Sequence, residues 1–238
     1  VPLALTDYDE MLEWIDTTIS SGERGYVCAC NVHTVMRAQE DAELMNALVR
    51  AALNVPDGQP LVWAINALGF PLPGRVYGPE LMSRACAVAA EQGHRLYLYG
   101  GRNQGALVQL ALNLRHRHPG IKIVGGYSPP HRPLSAEEHS AVAGEINSSR
   151  ADIVWAGIGV PKQEKWMAEM RPHLVAPVLV GVGAAFDFHA GLVPQAPMWI
   201  QEAGLEWAYR LAHEPRRLWR RYLRYNPRFM AGFARQLS

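Results

Sequence analysis

Four times along this chain a short apolar run ends in glycine, or in Pro-Asp-Gly, and helical spacing takes over. The junctions are Pro56-Asp57-Gly58, Tyr99-Gly100-Gly101, the run from Gly157 to Glu164, and Gly181-Val182-Gly183. The runs before them are predicted strands over 53–55, 95–99, 152–156 and 178–182, with two more over 26–30 and 121–124. Between strands, apolar residues recur at helical spacing for about 10–15 residues. This alternation specifies an α/β, Rossmann-like fold, a mostly parallel sheet with helices on both faces. It also collects the glycine loops at the C-terminal edge of the sheet, where open α/β folds bind ligands.

Local signals refine the pattern. Thr6 is the expected N-cap of a first helix, with Asp9 three residues on and Met11, Leu12, Ile15 and Ile19 facing inward. Residues 31–50 read as one or two helices with Val35, Leu44 and Leu48 inward, and another helix starts at Pro60. A Pro- and Gly-rich loop over 69–78 leads to Pro79, suited to the first position of a helix reaching Gln92. Helices follow over 104–118, from Ser135 with Glu138 completing a capping box, and around Trp166 and Met170. After Pro197 the pattern is helical only, dividing the chain into an α/β core, 1–204, and a basic helical segment, 205–238.

The net charge of +1 gives the chain no overall drive towards nucleic acid, but the charge is uneven. From Arg210 to Ser238 there are eight arginines and a single acid, Glu214. Arg217, Arg220, Arg221 and Arg224 share a helical face, interleaved with Trp219, Tyr222 and Tyr225. Arginine forks beside aromatic rings suit phosphate groups or an anionic membrane surface. The same stripe could read nucleic acid, or be a solvated helix paired with distant acids. No apolar stretch approaches the ~20 residues needed to span a bilayer, so membrane contact would be peripheral. The three cysteines, Cys28, Cys30 and Cys86, fit buried thiols in a reducing compartment better than a disulfide framework or a zinc site.

None of the glycine loops completes a G-x-G-x-x-G or P-loop motif, which argues against a dinucleotide dehydrogenase and a P-loop enzyme. Together they still suit a nucleotide, because glycines let a ligand approach backbone N–H groups. Gly100, Gly101, Gly157, Gly159 and Gly183 are the candidates. Asp57 is either a general base or a turn aspartate bonding its own backbone. Asn31 could bind a hydroxyl but more readily caps a helix. Gln163 and Glu164 could meet a base or ribose and Lys162 a phosphate, or all three could be a solvated helical turn. Asp187, between two phenylalanines, suits a structural role at least as well as a catalytic one. Asp7-Tyr8-Asp9 matches the D-x-D of metal-dependent transferases but sits at a helix start, where it reads as capping. No metal ligand set is expected.

The ordered run of Asn31, Pro56-Asp57-Gly58, Arg75-Val76-Tyr77-Gly78-Pro79-Glu80, Tyr99-Gly100-Gly101, Gly159-Val160-Pro161-Lys162-Gln163-Glu164, Gly181-Val182-Gly183-Ala184-Ala185-Phe186-Asp187 and Leu205-Glu206-Trp207 with Arg210 resembles the WecG/TagA/CpsF glycosyltransferases. The likeness covers nearly the whole chain. It implies an inverting transfer of a hexose or N-acetylhexosamine, such as glucose or N-acetylmannosamine, from a UDP-sugar, with no metal or other cofactor. The implied acceptor is linked to undecaprenyl diphosphate at the inner face of a bacterial membrane, so the protein would be cytoplasmic and peripheral. Self-association is a further implication. Asp57 would be the base; Asn31, Gly58, Arg75 and the loop residues would bind substrate. Arg210, Arg217, Arg220 and Arg224 would contact diphosphate or membrane. Many relatives carry a Thr shortly before the Asn; here the stretch is Cys28-Ala29-Cys30-Asn31, so that hydroxyl's role is lost or moved to Thr34.

Overall fold

The computed structural model describes residues 1–237; Ser238, the end of the expected basic segment, lies outside the described residues. Six strands form one all-parallel sheet: β1 Gly25–Cys30, β2 Leu53–Pro56, β3 Arg95–Gly100, β4 Lys122–Tyr127, β5 Ile153–Gly157 and β6 Val178–Gly181. Their order is β2-β1-β6-β5-β3-β4. Side chains alternate across the sheet, and each face carries its own apolar cluster. On one face α1 Tyr8–Ser21, α5 Gly78–Gln92, α6 Gln104–Arg117 and α9 Ala185–His189 pack against Val27, Leu96, Leu98, Trp155 and Val180. On the other, α2 Val32–Ala38, α3 Ala42–Val49, α7 Ala136–Ser149 and α8 Lys162–Met170 cover Tyr26, Cys28, Tyr97, Tyr99 and Leu179. This is the expected Rossmann-like arrangement. The central strands read as continuous apolar runs because both of their sides are buried.

The remaining helices are α4 Gln59–Ala67, α10 Met198–Glu202, α11 Glu206–His213 and α12 Pro215–Leu237. The basic segment is not detached from the core. Tyr225 of α12 is buried among Val32, Met36 and Leu61, which joins α12 to α2 and α4. Among the described residues no helix is long and apolar enough to cross a membrane.

Several expected boundaries move for physical reasons. The cap of α1 is Asp7, not Thr6: Asp7 Oδ1 accepts the N–H groups of Asp9 and Glu10, each at 3.0 Å. The D-x-D pair is thus partly spent on capping. Residues 31–50 form two helices, because Asp41 caps α3 through the Leu44 N–H; Leu44 and Leu48 are buried, Val35 only half-buried. Strand β4 runs through Gly125-Gly126, past the expected end at Val124. A Cβ on Gly125 would lie 2.6 Å from the Tyr97 ring, so this glycine admits a large neighbour within the sheet and does not end the strand. The Ser135–Glu138 capping box forms as read.

Candidate active site

Strand β3 connects outward to β4, while its neighbour β5 connects the opposite way to β6. This reversal opens a crevice at the C-terminal edge, the ligand position of open α/β sheets. A cavity of about 970 Å³ lies there. It is lined by Gly101, Gly157, Gly159 and Gly183 from the glycine loops, by Asn31 and Asp57, and by Arg210, Arg217 and Arg221 from the C-terminal helices. Gly101, Gly159 and Gly183 all have positive φ, a conformation side chains resist. Gly100 does not line the cavity. A Cβ on it would meet the Gly157 backbone at 2.6 Å, so it serves the approach of β3 to β5.

Asp57 follows β2 and is fixed from both sides. Its N–H donates to the Cys30 carbonyl at 2.7 Å, and its Oδ1 accepts the Gly78 N–H at 2.7 Å. The Asn31 side chain also hydrogen-bonds the carboxylate. Burial pushes the Asp57 carboxyl above the usual aspartate range; the Gly78 N–H, Arg75 and the Asn31 side chain oppose that push. A carboxylate with a raised pKa is a stronger base, which suits proton abstraction. The turn reading of Asp57 is not what forms: its Oδ1 accepts a bond from the Gly78 N–H, distant in sequence, and the group faces the cavity.

Arg75 is engaged within the protein. Its guanidinium bonds Glu206 and Gln201 at 2.8 Å each and the Asp57 carbonyl at 3.4 Å, and it lies over the Tyr77 ring. Tyr77 Oη donates to the other Glu206 oxygen at 3.0 Å. This network ties the Asp57 loop to α10 and α11, and nothing local in the sequence points to Glu206 as its hub. Glu206→Gln leaves the Arg75 cation without its carboxylate, so we expect a loss of about 2 kcal/mol in chemical denaturation and faster proteolysis within 205–237. Unchanged proteolysis would show that the pair does not hold the segment down.

The helical turn with Gln163 and Glu164 is not solvated, since Gln163 is 1 % and Glu164 0 % exposed. Gln163 Oε1 accepts the N–H groups of Gly159 and Gly183 at 3.2 and 3.0 Å, bracing two glycine loops together. Its Nε2 donates to Glu164 Oε1 at 2.9 Å, which fixes the amide orientation. Glu164 does not line the cavity and is a support. Its Oε2 is buried without a partner, and burial raises its pKa to about 7. For an acid raised in the folded state, stability falls as pH rises from the unfolded pKa through the folded one. Unfolding midpoints measured between pH 5 and 8 should therefore decline less in Glu164→Gln than in the parent. Lys162 is exposed at the cavity wall.

Thr34 corrects a sequence expectation. It is 0 % exposed and completes a capping box with Asn31, so it does not take over a ligand-binding hydroxyl role. Asn31 both caps α2 and lines the cavity; its Oδ1 accepts the Thr34 N–H and Arg221 Nη2 at 3.3 and 3.2 Å. Gly58 faces a second cavity and caps α4 without a side-chain bond. Asp187 forms a two-pronged ion pair with Arg102, at 2.9 and 3.1 Å, on the cavity rim.

The arginines divide by face. Among the described residues, Leu218 and Tyr225 are the buried positions of α12, so Arg221 between them turns inward. Arg221 lines the cavity and forms no ion pair among the described residues, and its Nε is buried and unbonded. Burial, reinforced by Arg210 and Arg217, lowers its pKa to about 10, leaving it charged at neutral pH. Arg217 also pairs with Glu214 at 2.6 Å. Arg220 and Arg224 lie outside the cavity: Arg220 is exposed over Trp219, and Arg224 pairs with Glu40, as does Arg228. Arg221 was the stripe member the sequence did not single out. Its i+3 spacing from Leu218 and i−4 spacing from Tyr225 was the available signal.

A second cavity, about 540 Å³ and mostly apolar, adjoins the first. Trp63, Ala64, Leu205, Trp207, Phe229 and Met230 supply its walls, and Trp63, Leu205 and Met230 are also exposed at its rim. The two cavities share Asn31, His33, Asp57, Arg210 and Arg221. Among the described residues no His, Cys, Asp and Glu side chains gather in a metal-holding group. The cysteines are buried free thiols.

The model of the Glycosyl transferase WecG/TagA/CpsF family matches residues 1–238, the whole chain. The chain belongs to the WecG/TagA/CpsF family of glycosyltransferases.

Proposed function

We propose that this glycosyltransferase moves a hexose or N-acetylhexosamine, such as glucose or N-acetylmannosamine, from a UDP-sugar to an acceptor linked to a polyprenyl diphosphate, with inversion. The observation that carries this reading is the meeting of the two cavities at Asp57. The polar cavity, with its glycine N–H groups and arginines, suits a sugar nucleotide. The apolar slot suits the lipid-bearing acceptor. An acceptor hydroxyl entering from the slot attacks the anomeric carbon. Asp57 takes the hydroxyl proton as the new C–O bond forms. The bond from the anomeric carbon to UDP breaks, and the diphosphate leaves with that electron pair. Arg210, Arg217 and Arg221 offset its growing charge, together with loop N–H groups.

In this reading the protein works at the inner face of the bacterial plasma membrane. Exposed Trp63, Trp199, Trp207 and Trp219, the last beneath the Arg220 guanidinium, support contact with an anionic lipid surface. The test is UDP release from a panel of UDP-hexoses and UDP-N-acetylhexosamines, with and without a short-chain polyprenyl-diphosphate-sugar. Acceptor-dependent release with one donor is the expected result. UDP binding without release from any donor would favour a non-catalytic nucleotide-binding module. Tight, salt-dependent duplex binding would favour the nucleic-acid reading of the basic segment.

A further inference from the structure

His33 occupies the junction of the two cavities, in the first turn of α2. Five residues are common to both, and four of them have other commitments. Asn31 Oδ1 already accepts from the Thr34 N–H, the Thr34 hydroxyl and Arg221. Asp57 is the proton acceptor of the proposed reaction, and Arg210 and Arg221 are cations suited to phosphate. Of the two uncharged members, Asn31 and His33, it is His33 that has an unused valence: its Nδ1 is buried and has no hydrogen-bond partner. Burial, helped by Arg221 and Arg37, lowers its pKa to about 3, so the ring is uncharged at working pH. A neutral imidazole offers one donor and one acceptor, which matches a hydroxyl group and does not compete with Asp57 for the proton. The ring is also held in place. It meets Tyr225 of α12 edge-on, with centroids 5.1 Å apart.

We infer that His33 orients and selects the acceptor, its imidazole hydrogen-bonding a sugar hydroxyl next to the one that attacks. This rests on the transferase reading above and adds a specificity-determining residue to it. Nucleotide contacts need no neutral group at this junction, because the arginines and glycine loops meet the diphosphate. The acceptor sugar, by contrast, must pass the junction to bring its hydroxyl from the apolar slot to Asp57.

The test separates the two substrates. Steady-state kinetics on the full chain would use the UDP-sugar found active and a short-chain polyprenyl-diphosphate-sugar, with His33→Phe and His33→Asn. Phe keeps the ring but loses both nitrogens; the Asn amide overlays Nδ1. We expect His33→Phe to raise acceptor KM about 10-fold, the scale of one lost hydrogen bond, with donor KM unchanged. The UDP-induced rise in melting temperature should also stay as in the parent. His33→Asn should recover acceptor KM to within about 3-fold of the parent. A parent-like acceptor KM in His33→Phe would overturn the inference, as would a parallel rise in donor KM or failure of His33→Asn to rescue. If His33→Phe does not fold, His33→Leu supplies the same comparison. If the parent transfers to no acceptor while still binding UDP, the transferase reading itself fails and takes this inference with it. Transfer by the parent with an indifferent His33 sinks the inference alone.

Discussion

Asp57→Asn should lower acceptor-dependent UDP release by about 10²–10⁴-fold, the range typical for loss of a general base. The substitution is nearly isosteric. The amide oxygen can still accept the Gly78 N–H that holds Asp57 at 2.7 Å, so the loop should keep its shape. What disappears is the carboxylate's capacity to take a proton, and donor KM should change little. The pH profile supplies a second reading. A base works only when deprotonated, so the rate falls as pH drops through its pKa. Burial raises the Asp57 pKa, which places the acid limb above the ordinary aspartate range. Full turnover in a folded Asp57→Asn protein would remove Asp57 from the chemistry. An acid limb that persists in the variant would assign it to another group.

The framework of this site was legible because it follows from local chemistry. Strand-then-glycine junctions specify a parallel sheet and put Asp57, Gly101, Gly159 and Gly183 on one edge. What could not be read was the direction each polar side chain takes once packed. In sequence Gln163 and Glu164 fit either contacts to a base or ribose or a solvated turn; tertiary packing buries both and turns Gln163 into a brace between two loops. The family resemblance implies that Arg75 binds substrate, but its carboxylate partner Glu206 is remote in sequence and meets it only through the fold. Thr34 has a hydroxyl at a plausible place, and the cap of α2 consumes it. Gly125 shows the same limit in a strand, where its purpose depends on a ring from the neighbouring strand. Sequence spacing determines which face a residue shares; it does not determine what waits on that face.

The division among the arginines gives the second large expected effect. Arg221→Gln should reduce turnover by about 10²–10³-fold, the scale of losing one preorganised donor to developing charge. Like-charged neighbours and burial both disfavour this guanidinium, and no carboxylate pairs with it among the described residues. Such a group is costly in the empty protein and becomes favourable when an anion arrives. Two consequences follow that a merely structural arginine would not produce. Without ligand, Arg221→Gln should melt no lower than the parent, since relief of repulsion offsets the lost bond to Asn31. With saturating UDP, the rise in melting temperature should shrink, because affinity for the folded state sets that rise. Arg220→Gln is the matched comparison: Arg220 is exposed and outside both cavities, so turnover on a short-chain acceptor should remain near that of the parent. Equal losses in the two variants would mean that the basic segment acts through its total charge. A loss confined to Arg221 places the diphosphate where the inward face of α12 meets Asp57, and so orients the whole reaction.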